Sequence, residues 1–141
     1  MKHSMTLALG AVMTLALGAC STIAPSTPTG IKLDGTSWKI MQVNDVRLTA
    51  DQVRATTANF TEGRLDLSVG CNRMSGPYKM SGATISFGGL ASTRMGCPPP
   101  LAGFESEIGA LTETPVEASI GSDGILWLKG DRTRQLGLIR A

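Results

Sequence analysis

Two cysteines in the body of the chain, Cys71 and Cys97, constrain its fold more than any other feature. They lie within residues 68–100, a segment rich in glycine and proline that also contains a short alternating run at 84–87. Glycine and proline favour tight turns, and alternation favours a strand with one buried face. The segment therefore predicts hairpin-like strands, which a bond between the two cysteines would hold together as one unit.

The N-terminus has the order of a secretory signal peptide: Lys2, an apolar run over residues 5–19, and small residues before Cys20. The apolar run is shorter than the roughly 20 residues that a spanning helix needs. Residues 17–20, LGAC, resemble the lipobox of bacterial lipoproteins, which implies cleavage before Cys20 and its lipidation. Ser21 follows, where lipoproteins kept at the inner membrane often carry Asp, so the resemblance favours the outer membrane, facing the periplasm. An uncleaved anchor with an incidental cysteine is the alternative.

Lipidation of Cys20 would leave Cys71 and Cys97 as an even pair in an oxidising compartment. A bond between them encloses 25 intervening residues and by loop entropy contributes about 3.5 kcal/mol. Two buried free thiols or a metal pair are the alternatives, although zinc usually takes four protein ligands. The spacing is not the CxxC of a redox pair, which favours a structural bond.

Composition divides the rest of the chain into a tether and one domain. Residues 20–33 are rich in Ser, Thr and Pro without an apolar period, which is typical of a tether. We predict a signal peptide at 1–19, the lipidated tether at 20–33 and one folded domain at 34–141. After Cys20 the chain has 12 Lys and Arg (13 less Lys2) against 11 acids and no basic run, so no nucleic-acid partner is predicted.

Alternating runs and turn residues predict an α+β fold that is mostly antiparallel β, a compact sheet or partial barrel wrapped around one helix at about 103–113. The first strand, 36–43, directs Trp38 and Ile40 inward. In the helix, Phe104 and Ile108 recur at helical spacing. The further strands are predicted at 57–60, 64–69, 78–80, 84–87, 91–95, 116–120, 125–129 and 134–139.

The residue inventory excludes several classes of catalysis. The only histidine, His3, lies in the predicted signal peptide, so the mature protein lacks Ser-His-Asp and Cys-His catalysis and histidine-ligated metals. No phosphate-binding glycine loop is present in the sequence. Glu105 and Glu107 could form a catalytic carboxylate pair, but a solvated helix face is the favoured interpretation. We predict no cofactor, no metal and no enzymatic activity.

Short motifs around the cysteines resemble the META domain family (formerly DUF306), which includes heat-inducible bacterial lipoproteins of the HslJ type. The resemblance rests on GCN…G-x-Y at Gly70–Tyr78 and T-x-M-x-C at 93–97, with Glu105 in the following helix. It implies a compact β-rich envelope domain linked to heat or antibiotic stress, without an established reaction. The candidate binding or motif residues are Gly70, Asn72, Arg73, Gly76, Tyr78, Thr93, Arg94, Met95 and Glu105, with Cys71 and Cys97 as the disulfide.

Three functions follow as hypotheses. The first is a non-enzymatic lipoprotein, held on the membrane by lipid on Cys20, which supports outer-membrane integrity and stress tolerance. The second is a periplasmic protein-binding module, such as a pilot for a secretion-system subunit or an inhibitor of a hydrolase, with an unknown envelope partner. The third is a carboxylate-based hydrolase that uses Glu105 and Glu107.

Overall fold

The computed structural model describes residues 30–141. The predicted signal peptide at 1–19, the lipidation site Cys20 and most of the predicted tether lie outside these residues. The elements, in chain order, are β1 (Thr36–Val43), β2 (Val46–Arg47), α1 (Ala50–Ala55), β3 (Thr57–Thr61), β4 (Arg64–Ser68), β5 (Arg73–Ser81), β6 (Thr84–Phe87), β7 (Ala91–Ser92), α2 (Leu101–Thr112), β8 (Val116–Ile120), β9 (Leu126–Lys129) and β10 (Gln135–Arg140).

Eight antiparallel strands form a closed barrel. The order runs β1, β3, β4, β5, β6, β8, β9 and β10, and β10 pairs back with β1. The short strands β2 and β7 pair only with β1 and β5 and stand outside the ring. This agrees with the predicted mostly antiparallel fold. The sequence predicted a sheet or partial barrel, and the pairing of β1 with β10, for example Trp38 with Arg140, closes the barrel.

A short turn joins β3 to β4, as predicted, but with two residues instead of three. Glu62 and Gly63 both have positive φ, 52° and 72°. Turns of this kind match the right-handed twist of the strands they connect, and glycine takes the conformation without steric cost. The hairpin then alternates as predicted, with Leu65 and Leu67 buried.

A bulge in β1 changes which side chains reach the core. The pairing with β10 shifts register between Ile40 and Gln42, so Val43 is buried and Gln42 is only half-buried. The alternation that buries Trp38 and Ile40 therefore does not continue to Gln42. On the β3 side of β1, the Thr56 hydroxyl accepts a hydrogen bond from the Ile40 backbone N–H over 2.7 Å, next to the last paired residues, Trp38 and Ala58.

β5 and β7 differ from their predicted lengths. β5 extends from Arg73 to Ser81 through Gly76 and Pro77, whereas the predicted strand covered only 78–80. Pro77 is tolerated because the strand changes partner there, from β7 to β6. β7 ends at Ser92 instead of residue 95. The Thr93 N–H still donates to the carbonyl oxygen of Arg73 in β5, but the Met95 N–H donates to the Asn72 side chain and not to a strand.

The principal helix, α2, lies against one end of the barrel. It begins at Leu101, two residues before the predicted start, directly after the three prolines 98–100. Its buried face presents Phe104, Ile108 and Leu111 to the core. Its other side is exposed, so the helix covers the barrel end and is not enclosed by strands. This placement brings α2 beside the residues that precede β5.

The interior is filled mainly by aliphatic side chains around Trp38, which is 1% exposed. The guanidinium of Arg140 lies 4.2 Å from the centre of the Trp38 ring and covers it. Leu33 is also buried and Ile31 packs against the core. The folded part therefore begins before Asp34, and the last residues assigned to the tether belong to the domain.

Candidate functional site

A disulfide joins Cys71 and Cys97, with their Cα atoms 6.0 Å apart. It connects the loop before β5 to the loop after β7, and both cysteines are half-buried. Of the three possibilities left open by the sequence, the structure has the disulfide. Around this bond the structure places Asn72, Thr93, Met95 and Glu105, and we call these four residues with the two cysteines the disulfide unit.

Asn72 is the centre of the disulfide unit and is 6% exposed. Its backbone N–H donates to Glu105 Oε1 over 2.7 Å, and its side-chain Nδ2 donates to Glu105 Oε2 over 2.8 Å. The same Nδ2 lies 3.0 Å from Cys97 Sγ and 3.2 Å from the Met95 carbonyl oxygen. Asn72 thus ties the strand end to the helix and to the second half of the disulfide.

The acceptor side of Asn72 fixes the loop that leads to Cys97. Its Oδ1 accepts from the Thr93 hydroxyl over 2.9 Å and from the Met95 backbone N–H over 2.8 Å. The Thr93 hydroxyl also accepts from the Arg73 backbone N–H over 3.0 Å. Because these bonds replace a strand ladder, the loop is held in one conformation without continuing β7.

Glu105 does not lie on a solvated helix face, and that interpretation is corrected. Its carboxylate is half-buried and directed at Asn72, whereas Glu107 is exposed. Glu107 accepts instead from Asn44 Nδ2 over 2.9 Å and lies 3.9 Å from Arg134. Residues two apart on a helix do not share a face. The two carboxylates therefore bind different partners, which disfavours a catalytic pair.

The sulfur atoms of Cys71 and Cys97 and the Glu105 carboxylate lie within 4.8 Å of one another. Such a set could in principle hold a metal ion. Thiolate is the form of cysteine that binds metal, and both sulfurs are here committed to the disulfide. In the oxidised protein the set offers only Glu105, and that carboxylate already accepts from Asn72.

Two glycines of the candidate set have steric reasons to be glycine. Gly70 has φ +103°, which side chains rarely adopt, directly before Cys71. Gly76 is buried in β5, where a Cβ would collide with the carbonyl oxygen of Gly89 and approach Leu90 to 2.9 Å. The loop 88–90 can cross β5 this closely only because Gly76 has no side chain. At both positions glycine is required by the path of the backbone.

Tyr78 lies apart from the disulfide unit. It is five residues along β5 from Arg73, about 17 Å away in an extended strand. Its ring is buried edge-on against Phe60 with centroids 5.2 Å apart, and its hydroxyl donates to Asp34 over 3.4 Å. Burial raises the pKa of Tyr78, and the neighbouring carboxylate of Asp34 raises it further. Tyr78 is a core residue at the opposite end of the barrel.

Three of the candidate residues face solvent beside the disulfide unit. Arg73 and Arg94 are exposed, and Met95 is 57% exposed, which is unusual for a large apolar side chain. Arg94 and Met95 lie on the loop after β7, whereas Arg73 is the first residue of β5. Gly70 and Thr93 are exposed as well, so only part of the candidate set is buried.

The role of Asn44, which lies in the Asn-Asp turn between β1 and β2, was not predicted from the sequence. Asn44 has φ 51° and joins three elements. Its Oδ1 accepts from the Gln135 backbone N–H over 3.1 Å, and its Nδ2 donates to Glu107 of α2. The partners are 63 and 91 residues away in sequence, so the turn signal was the only local indication.

Two grooves lie outside the disulfide unit. One, of about 440 Å³, lies between the end of β6 with the loop after it and the C-terminal half of α2. Phe87 and Leu90 line one side, and Thr112 and Glu113 line the other. The other, of about 560 Å³, is mainly apolar and is lined by Gly30, Ile31, the β5–β6 turn and the end of β8. Across residues 30–141, no helix has both the length and the apolar character needed to cross a membrane.

Comparison with known protein families agrees with this architecture. The META domain matches residues 31–141, which is most of the chain and nearly all of its described part. The matched range includes the disulfide unit, and it begins at Ile31, the first residue that packs against the core. Among curated proteins, none matches the chain.

Solved structures share the fold at low sequence identity. A protein from Burkholderia xenovorans, solved by NMR, is 23% identical with a TM-score of 0.62, over 77% of this chain and 83% of that one. A second NMR structure is 25% identical with a TM-score of 0.65, over 77% and 91%. A DUF4847 family protein from Bacteroides vulgatus, solved by crystallography, is 12% identical with a TM-score of 0.53, over 77% and 94%.

Proposed function

This chain belongs to the META domain family, and from that premise we propose that it is a non-enzymatic lipoprotein of the bacterial envelope. In this proposal the protein is anchored through Cys20, faces the periplasm from the outer membrane, and contributes to membrane integrity under heat or antibiotic stress. The lipobox at 17–20, with the apolar run before it and the Ser- and Pro-containing segment after it, supports the anchor. The disulfide between Cys71 and Cys97 supports an oxidising compartment.

One observation carries the non-enzymatic part of the proposal. The acid and amide most closely associated with the family motifs, Glu105 and Asn72, bond to each other and to the disulfide loop. A general acid or base must instead reach a substrate atom at hydrogen-bonding distance. In the part of the chain that the structure describes, every buried side-chain nitrogen or oxygen has a partner. The polar groups of Asn72 and Glu105 are thus used in hydrogen bonds that stabilise the fold.

A complementation experiment tests the role. A deletion strain is compared with its parent under heat, novobiocin and detergent, and is then supplied with wild-type protein, the Cys20→Ala variant or a Glu107→Gln control. We expect the deletion to be sensitive, wild type and E107Q to restore growth, and C20A to fail although it is still synthesised. A deletion strain that behaves like its parent under all three conditions contradicts the proposal.

The mass of the protein extracted from membranes separately tests the lipid anchor and the cellular compartment. We expect a chain that begins at acylated Cys20, with Cys71 and Cys97 alkylated only after reduction. A mass that retains residues 1–19, together with thiols that alkylate without reduction, contradicts both the anchor and the compartment. This measurement does not depend on any growth phenotype, so the two parts of the proposal can fail independently.

A second candidate function, a protein-binding module, is favoured by the exposed side of the disulfide unit. Met95 is 57% exposed and lies between Arg94 and Cys97, in the loop that the disulfide holds. Methionine and arginine are both enriched at protein interfaces. A loop held by a disulfide and by Asn72 loses little conformational entropy on binding, which favours affinity.

Site-specific crosslinking distinguishes this second function. A photoreactive residue is placed at Met95 and, as a control, at Val46, which is 52% exposed on β2. One envelope protein captured in stoichiometric amount from Met95 and not from Val46 supports the binding module. Equal capture of abundant lipoproteins from both positions contradicts it.

A further inference from the structure

The apolar groove of about 560 Å³ lies at the end of the barrel where the described chain begins. Gly30 and Ile31 line one side, and the β5–β6 turn with Gly82 and Ala83 lines another. The end of β8 completes the groove with residues 118–120. The opposite end of the barrel is covered by α2, so the two ends of the molecule differ in the surface that they present.

Ile120 gives this groove its apolar character. It continues the inward-facing series of β8, in which Val116 is fully buried and Ala118 is 3% exposed. Its cross-strand partner on β9, Leu126, is also fully buried. Ile120 itself is 45% exposed, because the barrel ends before any further side chain covers it. The core therefore opens to the surface at this position.

The position of Gly30 connects the groove to the proposed anchor. Cys20 stands ten residues before Gly30, and a chain of that length spans at most about 36 Å. A lipid on Cys20 therefore keeps the residues that line the groove within that distance of the bilayer. Tethering gives even a weak surface contact a high effective concentration, so a small apolar patch can be occupied.

We propose that this groove rests on the lipid bilayer that holds the anchor, with Ile120 inserted at the boundary between headgroups and acyl chains. The inference depends on the proposed lipid anchor and adds the orientation of the domain: the groove end faces the membrane and the disulfide unit faces away. An exposed apolar patch that a tether holds near a membrane can bury its surface against the lipid acyl chains.

The charges on the segments around the groove specify the kind of lipid surface. Lys32 and Lys79 are balanced by Glu117 and Asp123, and all four are exposed. A contact that depended on anionic lipid would need an excess of basic residues. The proposed contact is therefore apolar and does not depend on lipid charge or on salt concentration.

Quenching by brominated lipid tests the contact in the lipidated protein. Ile120→Trp is reconstituted into phosphatidylcholine vesicles with bromine near the top of the acyl chains. Val46→Trp, on a strand beside the covered end, is the matched control, and wild type gives the background of its own two tryptophans. We expect I120W to be quenched several-fold more than V46W, and equally in vesicles that contain phosphatidylglycerol.

Other occupants of the groove give different results. Equal, weak quenching of I120W and V46W in protein whose acylation is verified overturns the contact and leaves the anchor intact. A fluorescence shift that grows with protein density without bromine quenching identifies a second copy as the occupant, and also overturns it. Mature protein without acyl groups overturns the contact and the proposed anchor together.

Hydrogen exchange of the wild-type protein tests the same contact without a tryptophan substitution. Lipidated wild type is compared on vesicles and after release of its N-terminal segment by proteolysis before Gly30. We expect amides at 118–121 and 82–83 to exchange several-fold more slowly on vesicles, with no change at 93–97. Unchanged exchange at the groove overturns the proposal even if I120W fails to fold.

Discussion

The side-chain amide of Asn72 donates to the carboxylate of Glu105 over 2.8 Å, across 33 residues of sequence. The Asn72 backbone N–H donates to the other oxygen of the same carboxylate. The helix is thereby fixed to the loop that carries the disulfide, and the carboxylate receives two donors from a single residue. Replacement of one carboxylate oxygen by an amide nitrogen would set a donor against a donor.

We predict that Glu105→Gln lowers the free energy of unfolding by about 1.5–3 kcal/mol, the range for hydrogen bonds to charged groups. Glu107→Gln is the matched control, since Glu107 is exposed on the same helix and a glutamine oxygen can still accept its hydrogen bond from Asn44. Its effect should stay within about 0.5 kcal/mol, as for most surface substitutions. Urea denaturation of the oxidised proteins measures both. Equal effects of the two substitutions would show that the Asn72 contact adds no specific stability.

The disulfide carries a second prediction. Replacement of both cysteines, Cys71→Ser with Cys97→Ser, should lower the free energy of unfolding by about 3.5 kcal/mol, because the unfolded chain regains the entropy of the closed loop. In a domain of this size that is on the order of 10 °C in Tm. Removal of both thiols avoids mispairing, and reduced wild type should melt near the double variant. An oxidised Tm equal to that of the double variant contradicts the prediction.

Local sequence patterns predicted those features of the fold that depend on neighbouring residues. Alternation placed Trp38 and Ile40 inside, and helical spacing placed Phe104 and Ile108 on the buried face of α2. These signals work because strand and helix periods relate residues only a few positions apart. The bond between Cys71 and Cys97 could be predicted from a count of the cysteines. The lipidation of Cys20 and the oxidising compartment that this count assumed stay predictions.

Features that depend on residues distant in sequence could not be predicted. The bulge after Ile40 leaves no local mark, yet it decides that Val43 and not Gln42 is buried. Glu105 was assigned to solvent because its partner, Asn72, lies on another element. The predicted strand at 78–80 did not include Gly76, whereas this glycine lies within β5 and permits the close crossing of the loop at Gly89. In each case a tertiary contact outweighs a local propensity.

The crossing at Gly76 leads to a third prediction with a matched control. Gly76→Ala should cost about 1–3 kcal/mol, the range for overpacking, because the new methyl meets the Gly89 backbone, which cannot move aside as a side chain could. Gly103→Ala should instead stabilise by about 0.5–1 kcal/mol, because Gly103 is an exposed helical position with nothing within 4 Å of an added Cβ. Thermal denaturation of the two variants shows whether Tm decreases in G76A and increases in G103A. A neutral G76A would mean that the loop 88–90 moves freely.

The last prediction concerns Tyr78, the only tyrosine in the chain. Because burial and the Asp34 carboxylate both raise its pKa, the folded protein keeps the phenol proton at a pH where the unfolded chain has begun to lose it. The stability that depends on neutral Tyr78 is therefore complete below the ordinary pKa of 10.0 and decreases as pH rises above it. Ultraviolet absorbance of the phenolate should show a midpoint above 10.0 in the folded protein.

Two variants separate the causes of this shift. In Asp34→Asn the midpoint should fall only part of the way towards 10.0, because burial is the larger cause and the carboxylate the smaller one. In Tyr78→Phe the alkaline loss of stability should become smaller, since no phenol remains to ionise in the unfolded chain. A folded midpoint at or below 10.0 would show that solvent reaches the hydroxyl, and the buried placement of Tyr78 against Phe60 would then be wrong.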